Sequence, residues 1–202
     1  DMARTVFRTY EWNMHPRSNE AERRTGRKQL REAIGHARAA VAIDPTGTEA
    51  RLFLARLLNE ADEHEEAVEH LLAAERLGPL GYEGYSLLGE CCKALGDPDA
   101  AAAAYAAVGQ VAPAMAHGAN WQRGLALWRA DRSEEAVEVL RTFFKNDFTH
   151  TRVRYALGKA AYDAGDYPLA LFAFRESWQA DFNLDALAWS ARCAYEMGQD
   201  AL

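Results

Sequence analysis

Ala33, Ala67, Ala101, Ala136 and Ala170 recur along the chain at steps of 34, 34, 35 and 34. A fixed period of this length constrains a chain more than its composition does, because every unit must meet the next through the same surface. The heptads EEAVEHL at 65–71 and EEAVEVL at 134–140 are part of that period, standing two repeats apart with one extra residue in the third interval. Alanine is abundant, so the ladder needs independent columns. Twelve residues after each anchor stand Pro45, Pro79, Pro113, Phe148 and Phe182; four after stand Ala37, Leu71, Tyr105, Leu140 and Phe174. Twelve before the last four anchors stand Ala55, Gly89, Gly124 and Gly158.

Each unit reads as two amphipathic helices joined by a tight turn. LFLARLL, YSLLGECC, LALW and YALGKAAY mark the first helix, and turns with Asp or Gly follow, as in ALGDPDA and DAGDYPLA. Small residues at the anchor and in the glycine column let two helices approach closely, while the large residue four after the anchor fills the space between repeats. Pro at the repeat end stops the second helix. Abundant Ala, only 6 Pro and few Val or Ile favour helix throughout, and 49% hydrophobic residues suffice for a core. Neither helix can bury its apolar face alone, so stability must come from stacking neighbours.

The period, the helix–turn–helix layout, the pairs Leu88-Gly89 and Leu157-Gly158, the Ala anchors, the Leu or aromatic after them and the closing Pro resemble the tetratricopeptide repeat family. The resemblance covers residues 30–202 and implies an all-α, right-handed superhelical solenoid. It is expected as a single solenoid over 1–202, about five repeats plus the start of a sixth, with 1–30 an atypical N-terminal helical segment. Departures are Arg123 where Leu is expected, and Phe148 and Phe182 in place of the closing Pro. A gapless first unit would put Glu20 and Arg24 where Leu54 and Leu58 stand in the next, leaving the core face polar. TVFRTYEWNM is therefore expected to be the first helix, with Ser18 or Asn19 capping a long second helix that reaches Ile43. CAYEMGQDAL echoes AAYDAGDYPLAL and stops before its second helix, so the sequence reads as a piece of a longer protein.

The formal net charge of −7 argues against a nucleic-acid partner, which needs a clustered positive surface. Residues 1–31 hold eight Arg or Lys against four acids, leaving 15 basic and 26 acidic residues in the remainder. The acidic run Glu60, Asp62, Glu63, Glu65, Glu66 and Glu69 fits a solvated helix start. No stretch has the apolar length of a membrane span, and no signal peptide opens the sequence. Cys91, Cys92 and Cys193 lack metal-ligand spacing and read as small apolar helix residues in a reducing, cytoplasmic setting. The histidines at 15, 36, 64, 70, 117 and 150 form no HExxH-like pattern, and His64 and His70 fall nearly opposite on a helix. No nucleophile, base, metal set or phosphate loop is assembled, so no enzyme, cofactor or metal is expected.

The resemblance implies a concave groove lined by the first helix of each unit. Counting back 15, 11 and 8 residues from each anchor, a helical stripe, selects Leu52, Arg56, Asn59; Ser86, Glu90, Lys93; Trp121, Leu125, Trp128; and Tyr155, Lys159, Tyr162. Aligning Gly198 on Gly165 adds Ala188, Arg192 and Tyr195. The N-terminal half is polar and mixed in sign; the C-terminal half is aromatic with cations between the rings. Trp121, Trp128, Tyr155, Lys159, Tyr162, Arg192 and Tyr195 are the candidate partner-binding residues, since Tyr and Trp dominate binding hot spots. The competing reading has Trp121 and Trp128 packing between repeats, where Arg123 makes the fourth unit atypical.

The expected function is a scaffold receiving a peptide or helix of another protein with apolar and acidic residues. The alternative is an architectural or self-association domain of a larger protein. Some proteins of the family clamp a terminal carboxylate with Lys and Asn. The corresponding pairs here, Leu52 with Arg56, Ser86 with Glu90, Trp121 with Leu125 and Tyr155 with Lys159, contain no such combination, so no such clamp is expected.

Overall fold

Apolar residues at helical spacing, interrupted once per half-repeat by a turn, give an all-helical chain. The computed structural model describes Arg4, residues 20–146 and residues 151–198, and every regular element within them is a helix. The chain falls into two units, residues 1–95 and 96–202. The first contains α1 (Glu20–Ile43), α2 (Thr48–Glu60), α3 (His64–Glu75) and α4 (Gly81–Ala94). The second contains α5 (Pro98–Val111), a 3-10 turn (Pro113–Met115), α6 (Ala116–Arg129), α7 (Ser133–Asn146), α8 (Thr151–Asp163), α9 (Tyr167–Asp181) and α10 (Leu184–Glu196). Within each unit every helix packs on the next in sequence, and first helices also meet across a repeat, α2 with α4 and α6 with α8.

The turn inside each repeat is made in one way. Asp62, Gly96, Asp131, Gly165 and Gly198, one per repeat, all have positive φ, between 58° and 78°. One left-handed residue just past the helix end reverses the chain and turns the next N–H back on the helix's last carbonyls. Glu63, Arg132 and Asp166 so donate to the carbonyls of Leu58, Leu127 and Ala161 at 2.9, 3.0 and 2.8 Å. Glycine takes this conformation without strain, and aspartate tolerates it. Two of the following helices are capped in addition: the side chains of Asp97 and Asp166 accept from the N–H of Ala100 and Leu169, with Pro98 and Pro168 at the first helical turn.

All five anchor alanines are completely buried, and Leu71, Leu140 and Phe174, four residues on, are equally inaccessible. A Cβ on Gly124 would lie 2.6 Å from the Leu140 side chain, and one on Gly158 would lie 2.7 Å from the Phe174 ring. The glycine column and the large-residue column are thus two sides of one contact within a repeat. Phe182 closes its repeat differently from the prolines: with φ 52° it caps α9 in the left-handed region, its N–H on the Trp178 carbonyl at 2.8 Å.

α1 reaches Ile43 as expected, while the helix expected from TVFRTYEWNM and the cap at Ser18 or Asn19 lie outside the described residues. Arg4 pairs with Glu49 and stands 5.8 Å from the Phe53 ring centroid. Phe148 also lies outside the described residues.

Gly158→Ala is expected to cost on the order of 1–3 kcal/mol in denaturant unfolding, because the methyl meets a buried ring, even though Ala is the better helix former. Gly118, whose Cβ would meet nothing within 4 Å, is the control. Gly118→Ala should gain up to about 1 kcal/mol from helix propensity. Equal shifts for both variants would mean that the α8–α9 approach is not the constraint described.

Candidate partner-binding face

Helix geometry places Tyr155, Lys159 and Tyr162 on one stripe of α8, at i, i+4 and i+7. All three are half-buried, as is Trp128 near the end of α6. The Lys159 ammonium stands 3.4 Å from the centroid of the Trp189 ring and 5.9 Å from that of Trp128, a cation between two indoles. From α10, the Arg192 guanidinium lies 5.0 Å from the Trp189 ring and 5.3 Å from Tyr162. Tyr162 meets Trp189 edge-on at 5.0 Å and Tyr167 at 5.3 Å. Tyr155 meets Phe174 edge-on at 5.7 Å, and Trp189 stacks on the same Phe174 at 6.0 Å.

Acids hold the polar tips of the rings. Trp128 donates its indole N–H to Asp163 at 2.7 Å, and the Tyr162 hydroxyl donates to Glu196 at 3.1 Å. These bonds repeat one device one period apart: a ring donor eight residues before its own anchor reaches an acid at the end of the next repeat's first helix. The dipeptides Tyr162-Asp163 and Tyr195-Glu196 carry that signal in the sequence. Neither Lys159 nor Arg192 forms an ion pair among the described residues. Partial burial pushes the Lys159 amine below the ordinary lysine value, Asp163 opposes that shift, and the like charge of Arg192 adds to it. Burial also raises the Tyr155 and Tyr162 hydroxyls, with Asp185 adding to the first and the Glu196 bond to the second.

Of the seven sequence-selected residues, Trp128, Tyr155, Lys159, Tyr162 and Arg192 come together in this one cluster or directly beside it. Trp121 does not join it; its ring tilts at 44° against Phe143, 6.5 Å away, beside a separate recess. Tyr195 is 71% exposed on α10. The rings are less open than the groove reading supposes, since Trp128 and Tyr162 are held by hydrogen bonds and by one another's neighbours. Trp189, at the centre, was not in the stripe. It occupies the position of Ala156 one repeat earlier, and a tryptophan replacing an alanine at equivalent places was the available signal.

In the first unit the polar stripe lines a recess of about 270 Å³ that includes Leu52, Arg56, Asn59, Ser86 and Glu90. Arg56 is tied there to Glu83 at 2.6 Å. Cys91 donates its thiol to the Asn59 side-chain oxygen at 3.3 Å, and burial raises that thiol to about 12, so it is an inert, protonated core residue. No helix among the described residues is long and apolar enough to cross a membrane, and no group of three metal-ligating side chains occurs among them.

The shifted amine of Lys159 can be followed by NMR titration of its Nζ. Arg192→Gln should move the midpoint up and Asp163→Asn should move it further down. Because the fold disfavours the ammonium, the Lys159 contribution to stability should improve as pH rises through the folded midpoint toward the ordinary lysine value. Trp128→Phe, which removes the donor to Asp163, should cost about 1 kcal/mol in thermal unfolding.

Profiles of the tetratricopeptide repeat match residues 25–81 and, for a second profile, residues 54–114, 93–147 and 121–185. No curated protein matches the sequence. Among solved structures, YrrB, described as a TPR protein with an unusual peptide-binding site, matches with a TM-score of 0.72 at 18% identity, over 80% of this chain and 83% of YrrB. The C-terminal part of a TPR repeat-containing protein from Cytophaga hutchinsonii matches at 0.71 and 16% identity, over 98% of this chain and 72% of that one. MamA from Desulfovibrio magneticus matches at 0.68 and 16% identity, over 100% and 98%.

Proposed function

The chain belongs to the tetratricopeptide repeat family, and we propose that it is a protein-interaction scaffold whose second unit receives an acidic segment of another protein at Lys159 and Arg192. Proteins of this family are generally interaction scaffolds, and YrrB is described as having a peptide-binding site. At 18% identity that likeness carries the fold alone, so the assignment of a site rests on the cations. One observation carries it. Two cations flank the same indole, repel each other, and have no ion pair among the described residues, while the nearby acids Asp163 and Glu196 are engaged by ring donors. A carboxylate placed between them would relieve the repulsion and restore what Lys159 loses by leaving water. The rings supply apolar area against which a partner's side chains can rest.

The exposed apolar residues of α10 favour a second reading, self-association. Leu184 is 72%, Leu187 43% and Tyr195 71% exposed, and they share one face of that helix. Light scattering on the purified chain decides it: a concentration-independent monomer removes that reading.

The primary reading is tested by selecting peptides from a random display library on the wild-type chain. Enriched peptides should be acidic, and Lys159→Glu with Arg192→Glu should weaken them by roughly 2 kcal/mol, about thirtyfold, with the melting temperature little changed. Added salt should reproduce part of that loss, mainly through the on-rate. Enrichment indifferent to charge, or unaffected by the double variant, would sink the proposal.

A further inference from the structure

A recess of about 310 Å³ opens in the second unit between the N-terminal ends of α6 and α8, lined by His117, Gly118, Trp121, Phe143, Arg152 and Val153. Its cause lies in the repeat. Glu49, Glu83, Gly118, Arg152 and Asp185 occupy equivalent positions in successive repeats, and only Gly118 lacks a charged side chain. Nothing lies within 4 Å of where its Cβ would be. The missing side chain leaves a gap whose walls are rings: His117 stacks on Phe143 at 4.1 Å and 13°, and Trp121 tilts against the same Phe143.

The rim carries a cation for a related reason. In the first unit Glu83 pairs with Arg56, 27 positions earlier. The residue 27 positions before Arg152 is Leu125, which offers no charge, and Arg152 is exposed with no ion pair among the described residues. A guanidinium over an aromatic-walled gap suits a ring or large aliphatic group that has a carboxylate beside it. The volume is at the low end for ligand pockets, about 300 Å³, which limits the occupant to one side chain.

We propose that this recess is a second subsite, taking one aromatic or large aliphatic side chain next to a carboxylate. The inference that the occupant belongs to the partner segment held at Lys159 and Arg192 rests on the function proposed above; the chemistry of the recess does not.

The test uses the full chain and two small probes, 3-phenylpropionate and its neutral amide, followed by amide and indole NMR shifts. The acid should shift Gly118, Val153 and the Trp121 indole N–H together and saturably, and the amide should bind about fivefold more weakly, the scale of one exposed charge contact. Arg152→Gln should abolish that difference. Gly118→Leu, which fills the gap, should abolish the Val153 and Trp121 shifts with both probes. Lys159→Glu with Arg192→Glu should leave the Gly118, Val153 and Trp121 shifts unchanged, which separates failure of the recess from failure of the cation site. Absence of saturable shifts in wild type, equal affinity for acid and amide at those resonances, or Val153 and Trp121 shifts that survive in a folded Gly118→Leu chain would each overturn the proposal. The comparison of acid with amide in wild type and Arg152→Gln stands even if Gly118→Leu does not fold.

Discussion

In two repeats of the second unit the close approach of the paired helices rests on a glycine of the first helix meeting a large side chain of the second. At Gly158 the first helix presents no side chain, and the Phe174 ring of the second helix rests where a Cβ would be; Gly124 and Leu140 repeat the arrangement one unit earlier. The closeness fixes which faces remain. With the anchor alanine and the large residue both sealed inside, the stripe of the first helix keeps only edge contacts with its own second helix, Tyr155 meeting Phe174 and Tyr162 meeting Tyr167. Trp128, Lys159 and Tyr162 on that stripe also reach side chains of the next repeat.

That position between repeats allows varied chemistry in the second unit. The positions eleven before the anchors, with Arg192 the equivalent position one repeat on, carry Arg56, Glu90, Leu125, Lys159 and Arg192, a set with no common packing property. In the first unit Arg56 is neutralised by Glu83. In the second, Lys159 and Arg192 sit over rings, and Asp163 and Glu196 accept from the Trp128 indole and the Tyr162 phenol, while neither cation has an ion pair among the described residues. Surface ion pairs contribute little to stability. Leaving the exposed Arg192 without an ion pair among the described residues therefore costs the fold little, whereas the half-buried Lys159 carries a desolvation cost.

The repeat frame was legible because its demands are steric and recur. A buried Ala, a Gly under a ring and a left-handed Asp or Gly at the turn each admit few residues, so the period survives in the sequence. The face was only partly legible. Tyr155, Lys159, Tyr162 and Arg192 followed from counting back along a helix, but counting cannot tell which way a neighbouring repeat leans. Trp189 lies one position off the stripe and yet holds both cations. Trp121 lies on the stripe and yet turns to Phe143 instead. The acid partners Asp163 and Glu196 were missed because their role exists only across a repeat boundary.

Deviations from the period are consequently more informative about function than the period itself. Where the repeat keeps its rule, a side chain is spent on a neighbour, as Glu83 is on Arg56. Where the rule lapses, something is left over: Gly118 leaves volume, Leu125 leaves Arg152 without an ion pair among the described residues, and Trp189 sets a ring over Lys159. All three lapses fall in the second unit. Trp189 also belongs to the packing, stacked on the buried Phe174, so the charge of this face resides in side chains that can be altered with the helices intact, while its shape resides in rings that cannot.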